Sequence, residues 1–188
     1  MAVDSSVEFH EAANIFPMDD EHIDDLAEDI KQHGQRIPIE LLGGKIVDGR
    51  RRFMACKIAG VIPSFADVDV DDPVSYVLSL NLHRRHLTPS QLSMVGARAR
   101  DIYDREAKER MVEGAKNKGK ENLPCPESGQ ARDAVGKAVG VSGKSIDHAT
   151  RVLKSAIPEI VKAVDEGRMA VSTAAILATE PEEVQRDE

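Results

Sequence analysis

The sequence predicts an α+β fold: a small mixed α/β unit followed by an all-helical one. Three features carry that reading. Two short apolar runs flank Gly43-Gly44, the pattern of a β-hairpin closed by a two-residue turn. Elsewhere apolar residues recur mostly at helical spacing. Residues 113–130, rich in Gly, Pro, Lys, Asn and Ser, separate the two halves and read as a linker.

The elements follow in chain order. Asp19-Asp20-Glu21 places acids where a helix dipole favours them. Ile23, Leu26, Ala27 and Ile30 then recur at helical spacing, and Gly34 is the expected stop. Ile37-Pro38-Ile39-Glu40-Leu41-Leu42 and Lys45-Ile46-Val47 are the arms of the hairpin, with Asp48-Gly49 ending the second arm tightly. A helix is expected from about Arg50 to Ala59, closed by Gly60. Ala66, Val68 and Val70 alternate with Asp67, Asp69 and Asp71, a half-buried strand whose acids form its wet face. Asp72-Pro73 supplies a cap and a first-turn proline for a helix to about Leu82.

Thr88-Pro89-Ser90-Gln91 is a capping-box pattern. Leu92, Val95, Ala99 and Ile102 lay one apolar stripe along the helix it opens, which ends near Met111. Beyond the linker, Ala131, Ala134, Val135, Ala138 and Val139 mark another amphipathic helix, followed by a turn at Gly140-Val141. Ser142 caps a second helix with Ile146, Ala149, Val152 and Leu153 as its apolar positions. Ile157-Pro158 starts a further helix that Gly167 ends, and Ser172 is expected to cap the next one through Ala174, Ala175 and Leu177. The expected division is therefore residues 1–87, a connecting helix over 88–112, a linker over 113–130 and a helical domain over 131–188.

Composition narrows the function classes. The net charge of −8 looks wrong for a nucleic-acid binder, yet the charge is uneven. Residues 1–72 hold 16 acids against 7 bases, whereas residues 84–120 hold 5 against 10 and residues 131–175 hold 5 against 7. Local surface charge, not the chain average, sets phosphate affinity. Cys56 and Cys125 form neither a disulfide framework nor a metal spacing, which fits a reducing cytoplasm. No apolar run approaches the roughly 18 residues of a membrane span, and the polar, acidic start has no signal-peptide pattern.

A helix, a short Gly-containing turn and a second helix is the helix-turn-helix layout, in which the second helix enters the DNA major groove by its N-terminal end. The residues at that end are Ser142, Gly143, Lys144, Ser145, Asp147 and His148, with Arg151 one turn on. Small and polar side chains allow close approach to base edges, and Lys144 and Arg151 suit phosphate or guanine. An ordinary helical hairpin is the alternative on the local pattern. His83 and His86 flank Arg84 and Arg85 with no further ligand nearby, which favours a polar helix end or phosphate contacts over a metal site.

The segment Leu26-Ala27-Glu28-Asp29-Ile30-Lys31-Gln32-His33-Gly34, then Pro38-Ile39, then Val47-Asp48-Gly49-Arg50-Arg51-Arg52-Phe53-Met54-Ala55 resembles the ParB/sulfiredoxin-like N-terminal domain of the ParB partition family. Gly140-Val141-Ser142, Pro158-Glu159-Ile160-Val161 and Gly167-Arg168-Met169 resemble the ParB/KorB-type helix-turn-helix that follows it, which adds Arg168 to the DNA-contact candidates. The resemblance implies a sequence-specific DNA-binding protein acting in plasmid or chromosome partition, or in transcriptional control of a mobile element, and associated with nucleoid or plasmid. It implies double-stranded DNA, often an inverted repeat, as partner, a homodimer, and a partition ATPase. It also implies CTP with Mg2+ on the N-terminal domain, with Gly49, Arg50, Arg51, Arg52, Asn81 and Arg84 as the phosphate-binding candidates. Arg50 stands where the family has glutamate, and Leu80 replaces the glutamate that helps hold the cation, so CTP hydrolysis is in doubt. Three rivals stay open: a CTP-binding or CTP-hydrolysing DNA clamp, an enzyme that is either a ParB-like nuclease or a nucleotide hydrolase, and a protein-interaction module whose helices never touch DNA. Sulfiredoxin chemistry is disfavoured, because the position of its reactive cysteine is Arg50 and Cys56 falls on the packed side of the helix.

Overall fold

The computed structural model describes residues 7–18, 22–82, 86–117 and 128–186. It divides into two compact units, Met1–Asn81 and Leu82–Glu188. Among the described residues no helix is long and apolar enough to cross a membrane. The α+β class expected from the sequence is the class observed.

The first unit opens with a 3-10 turn, Glu11–Ile15, and continues as α1 (Ile23–His33), β1 (Ile39–Leu42), β2 (Lys45–Asp48), α2 (Arg50–Ala59), β3 (Phe65–Asp67) and α3 (Pro73–Asn81). Gly43 and Gly44 both take positive φ, 56° and 78°, which is what a tight hairpin turn matched to strand twist requires. The sheet order is β2-β1-β3, with β1 antiparallel to β2 and parallel to β3. A parallel neighbour needs a crossover, and α2 supplies it. Ile39, Ile46 and Phe53 are buried between sheet and α2, while Ala27, Ile30, Ala55 and Cys56 are buried between α1 and α2. Phe9 meets Phe53 edge-on at 6.1 Å, and its segment bridges Ile46 at the outer edge of β2.

Two expectations shift here. The alternating pattern through Val70 shortens to a strand ending at Asp67. The Val68 amide still donates to the Leu41 carbonyl at 2.8 Å, but β1 ends at Leu42, so Val70 has no ladder to join. The acids Asp19 to Glu21 lie outside the described residues; α1 begins at Ile23, after His22 in the left-handed region.

The second unit is all helical: α4 (Pro89–Asn117), α5 (Ser128–Val139), α6 (Gly143–Ser155), α7 (Pro158–Asp165), α8 (Val171–Leu177) and α9 (Glu182–Arg186). The capping box closes both ways: Thr88 N donates to Gln91 Oε1 at 2.9 Å and Gln91 N donates to Thr88 Oγ1 at 3.3 Å. The helix it opens is longer than its expected end near Met111, and residues 118–127, with Cys125, lie outside the described residues. Helices α5, α6, α7 and α8 all pack on α4. Val95, Ala99 and Ile102 are buried as the stripe predicts, but so are Ser93, Met94 and Ala97, because α4 has neighbours on more than one side. Arg98 locks α4 to α7 with a two-pronged contact to the Asp165 carboxylate, 2.9 and 2.6 Å.

Ser172 does not cap α8. The N-cap is Ala170, whose side chain cannot accept a bond, and the Val171 amide instead donates to Ser90 Oγ of α4 at 3.1 Å. The hydroxyl arrives from a residue distant in sequence, so no local pattern announces it. Helix α9 is similarly unannounced, and its Gln185 is buried.

Candidate functional site

Helix α5 turns Val135 and Val139 inward. Ala134 and Ala138, expected on the same apolar face, are exposed. Alanine is small enough for either face, so the alanine-rich pattern left the rotation of α5 undetermined; the two valines decide it. Residues 140–142 turn the chain, helped by the Val141 amide donating to the Gly136 carbonyl at 2.8 Å.

Ser142 then caps α6: its Oγ accepts from the Ser145 amide at 3.2 Å, and the two hydroxyls lie 2.9 Å apart. Ile146, Ala149 and Val152 of α6 are fully buried. Burying that stripe faces the other side of the helix outward. Ser142, Lys144 and Arg151 are exposed there, and Gly143, Ser145 and His148 are half-buried. No acid stands in the first turn of α6. The first turn of α6 thus contributes a cation, two hydroxyls and a glycine, and no acid of its own.

Asp147, expected among the outward residues, is half-buried like Ser145 and His148, and it is held in a contact between helices. Its carboxylate accepts from Arg100 of α4 at 3.1 Å and from Arg132 of α5 at 2.9 Å, joining three helices. Neither arginine stood out in the sequence, because each lies far from α6 along the chain. Arg168 sits on the segment between α7 and α8 rather than on α6, and its Nε donates to Glu166 at 2.7 Å. That contact holds the Glu166 carboxyl below its usual range.

The phosphate-binding candidates gather at the start of α2, where Gly49 is the N-cap with φ 95° and no side chain caps the helix. Arg50 donates to Asn14 Oδ1 at 2.9 Å and to the Phe16 carbonyl at 2.5 Å. Arg52 donates to Asp48 Oδ2 at 2.5 Å, to the Ile37 carbonyl at 3.2 Å and to the Pro38 carbonyl. Arg50 and Arg52 therefore brace the first unit itself. Arg51 is half-buried. Asn81 donates back to the Val77 carbonyl at 3.0 Å, and Arg84, with His83 and Arg85, lies outside the described residues.

Gly49 tolerates no side chain easily. Its φ lies in the left-handed region, and an added Cβ would stand 3.1 Å from the Arg52 guanidinium. Gly49→Ala is expected to destabilise the first unit by about 1–2 kcal/mol. A urea midpoint unchanged from the parent would contradict this.

Cys56 is fully buried, with Sγ 3.5 Å from Gln35 Oε1. Burial pushes its pKa up, outweighing the nearby Arg52, so the group is held as a thiol rather than a nucleophilic thiolate. Among the described residues no group of three or more His, Cys, Asp or Glu is placed to hold a metal ion.

No protein-family model matches the chain, and no curated protein does. Solved structures do. A Pnob8-like ParB-N domain matches with a TM-score of 0.54 and 16% identity, covering 95% of this chain and 78% of the other. The C-terminally truncated chromosome-partitioning protein ParB from Caulobacter crescentus matches in two complexes. With CTP-γ-S the TM-score is 0.32 at 18% identity, over 89% of this chain and 84% of that one. With the centromeric parS site it is 0.40 at 16% identity, over 89% and 78%. The likeness of fold rests on the first of these: the chain has the fold of the Pnob8-like ParB-N domain structure.

Proposed function

We propose that this chain is a sequence-specific double-stranded-DNA-binding protein of the ParB type, acting in partition or in transcriptional control, and that α5 and α6 form its helix-turn-helix reader. One observation carries the reading. The apolar stripe of α6 is fully buried, which leaves Ser142 and Lys144 exposed at its tip, Arg151 exposed further along the same side, and no acid in its first turn. Such a tip suits groove entry: the helix dipole and Lys144 attract phosphate, while the small residues Ser142, Gly143 and Ser145 let the backbone come close to base edges. Selection of bound duplexes from a random pool tests this assignment. One enriched site, with a palindromic form if two copies bind together, supports the reading. Equal recovery of every sequence removes the specificity.

A second reading concerns the first unit. The start of α2 has no side-chain cap and gathers three arginines behind Gly49. An anion there would accept from the first backbone amides and from guanidinium groups, which favours a nucleotide phosphate such as that of CTP. All three arginines would have to exchange present partners for it. Calorimetric titration with CTP and Mg2+ decides the matter: saturable heat at high micromolar CTP supports binding, and no heat excludes it.

A further inference from the structure

Arg132 and Asp133, on α5, lie against the first turn of α6. An added Cβ on Gly143 would run into Asp133 Oδ1 and stand 2.7 Å from Arg132 Nε. A side chain at 143 would have to push these two charged groups aside, and they lie over the end of α6 assigned above to DNA. Arg132 uses two edges of its guanidinium. NH1 donates to Asp147 Oδ2 at 2.9 Å, which fixes the group to α6, and Nε donates to Asp133 Oδ1 at 2.9 Å. The two acceptors differ in setting: the Asp147 side chain is 44% exposed and shared with Arg100, whereas that of Asp133 is 63% exposed.

We propose that Arg132 is a further DNA-contact residue, a phosphate-binding side chain whose counter-ion in the DNA-free protein is the Asp133 carboxylate. The inference rests on the reading of α6 as the DNA reader. Phosphate oxygens and carboxylate oxygens are acceptors of the same kind for a guanidinium fork. When a duplex approaches, a phosphate oxygen takes the place of Asp133 Oδ1 on Arg132 Nε, while the Asp147 contact keeps the guanidinium in position. Asp133, left facing a phosphate, then opposes binding. Neither group touches a base edge in this arrangement, so both act on affinity for every duplex and neither on the choice of sequence. The first helix of a helix-turn-helix crosses the DNA backbone, which is where such a residue belongs.

The test uses the full chain with its selected site and an unrelated duplex, over a range of salt. Asp133→Asn keeps the size of the side chain and an acceptor for Arg132 but removes the charge. It is expected to bind both duplexes about 3- to 10-fold more tightly, with their ratio unchanged and a log–log salt slope steeper by about one. Arg132→Gln, whose Asp147 partner stays held by Arg100, is expected to weaken both equally, with a slope shallower by about one. Equal or weaker binding by Asp133→Asn, beside normal binding by the parent chain, would overturn the role of this pair and leave α6 as reader. A parent chain that retains no duplex at all would overturn both.

Discussion

Replacing Lys144 and Arg151 together by alanine is expected to weaken DNA binding by about 2–4 kcal/mol, or about 30- to 1000-fold in Kd. Both side chains are exposed on the outward side of α6, so the substitution removes charge without opening the core. Each cation that neutralises a phosphate contributes about 0.9 to the log–log salt slope, so losing two should make the slope shallower by about two. The thermal midpoint should hardly move, since exposed substitutions away from caps and cores usually cost under about 0.5 kcal/mol. Fluorescence anisotropy with a labelled duplex, repeated at several salt concentrations, checks affinity and slope together. An unchanged slope would mean that neither group meets a phosphate.

The largest effect on stability is expected from Gln185→Ala, a position far from the proposed DNA face in sequence. Gln185 is only 4% exposed. Its Oε1 accepts from the Ile157 amide at 2.9 Å, just where α6 has ended and α7 begins, and its Nε2 donates to the carbonyls of Glu180 at 2.8 Å and Ser155 at 3.3 Å. One side chain thus satisfies backbone groups on three stretches of chain that have no helical partner for them. Alanine would leave the buried Ile157 amide without its acceptor and open a small cavity. A buried unsatisfied donor alone costs about 1–3 kcal/mol, and with the lost packing the second unit should be destabilised by about 2–4 kcal/mol. Gln185→Glu separates the two halves of this role: it can still accept from Ile157 but cannot donate to the two carbonyls while ionised. A chemical-denaturation midpoint equal to the parent's for Gln185→Ala would show that water replaces these bonds at no cost.

What could be read from the sequence follows the range of the interactions involved. The hairpin around Gly43-Gly44, helix α2 between Gly49 and Gly60, the Thr88 capping box and the Ser142 cap depend on residues within a few positions of one another, and each stands where its local chemistry put it. The features missed join distant residues. Ser90 reaches the start of α8, Gln185 reaches the start of α7, and Arg100 and Arg132 converge on Asp147. Nothing in a periodic pattern says that a given serine or arginine will meet a backbone amide or a carboxylate 15 to 81 residues away. Asp147 shows the consequence for the site: it is partly exposed beside the outward residues of α6, but its helical position does not say that two guanidinium groups hold it. At α2 the cluster of arginines was legible as a cationic helix start, but not that Arg50 and Arg52 bind the carbonyls of Phe16 and Pro38. Those carbonyls come from loops whose course only the folded chain reveals.

Which part of α6 lies against DNA is the point on which the account turns. A photo-crosslinking amino acid in place of Lys144, at the tip, can be compared with the same group in place of Lys154, in the last turn of that helix and also exposed. With the selected duplex, the group at 144 should give strong crosslinks that specific competitor removes, and the group at 154 few. Crosslinking at 154 alone, or at neither position while the protein stays bound, would place the DNA elsewhere and contradict the role assigned to the tip of α6.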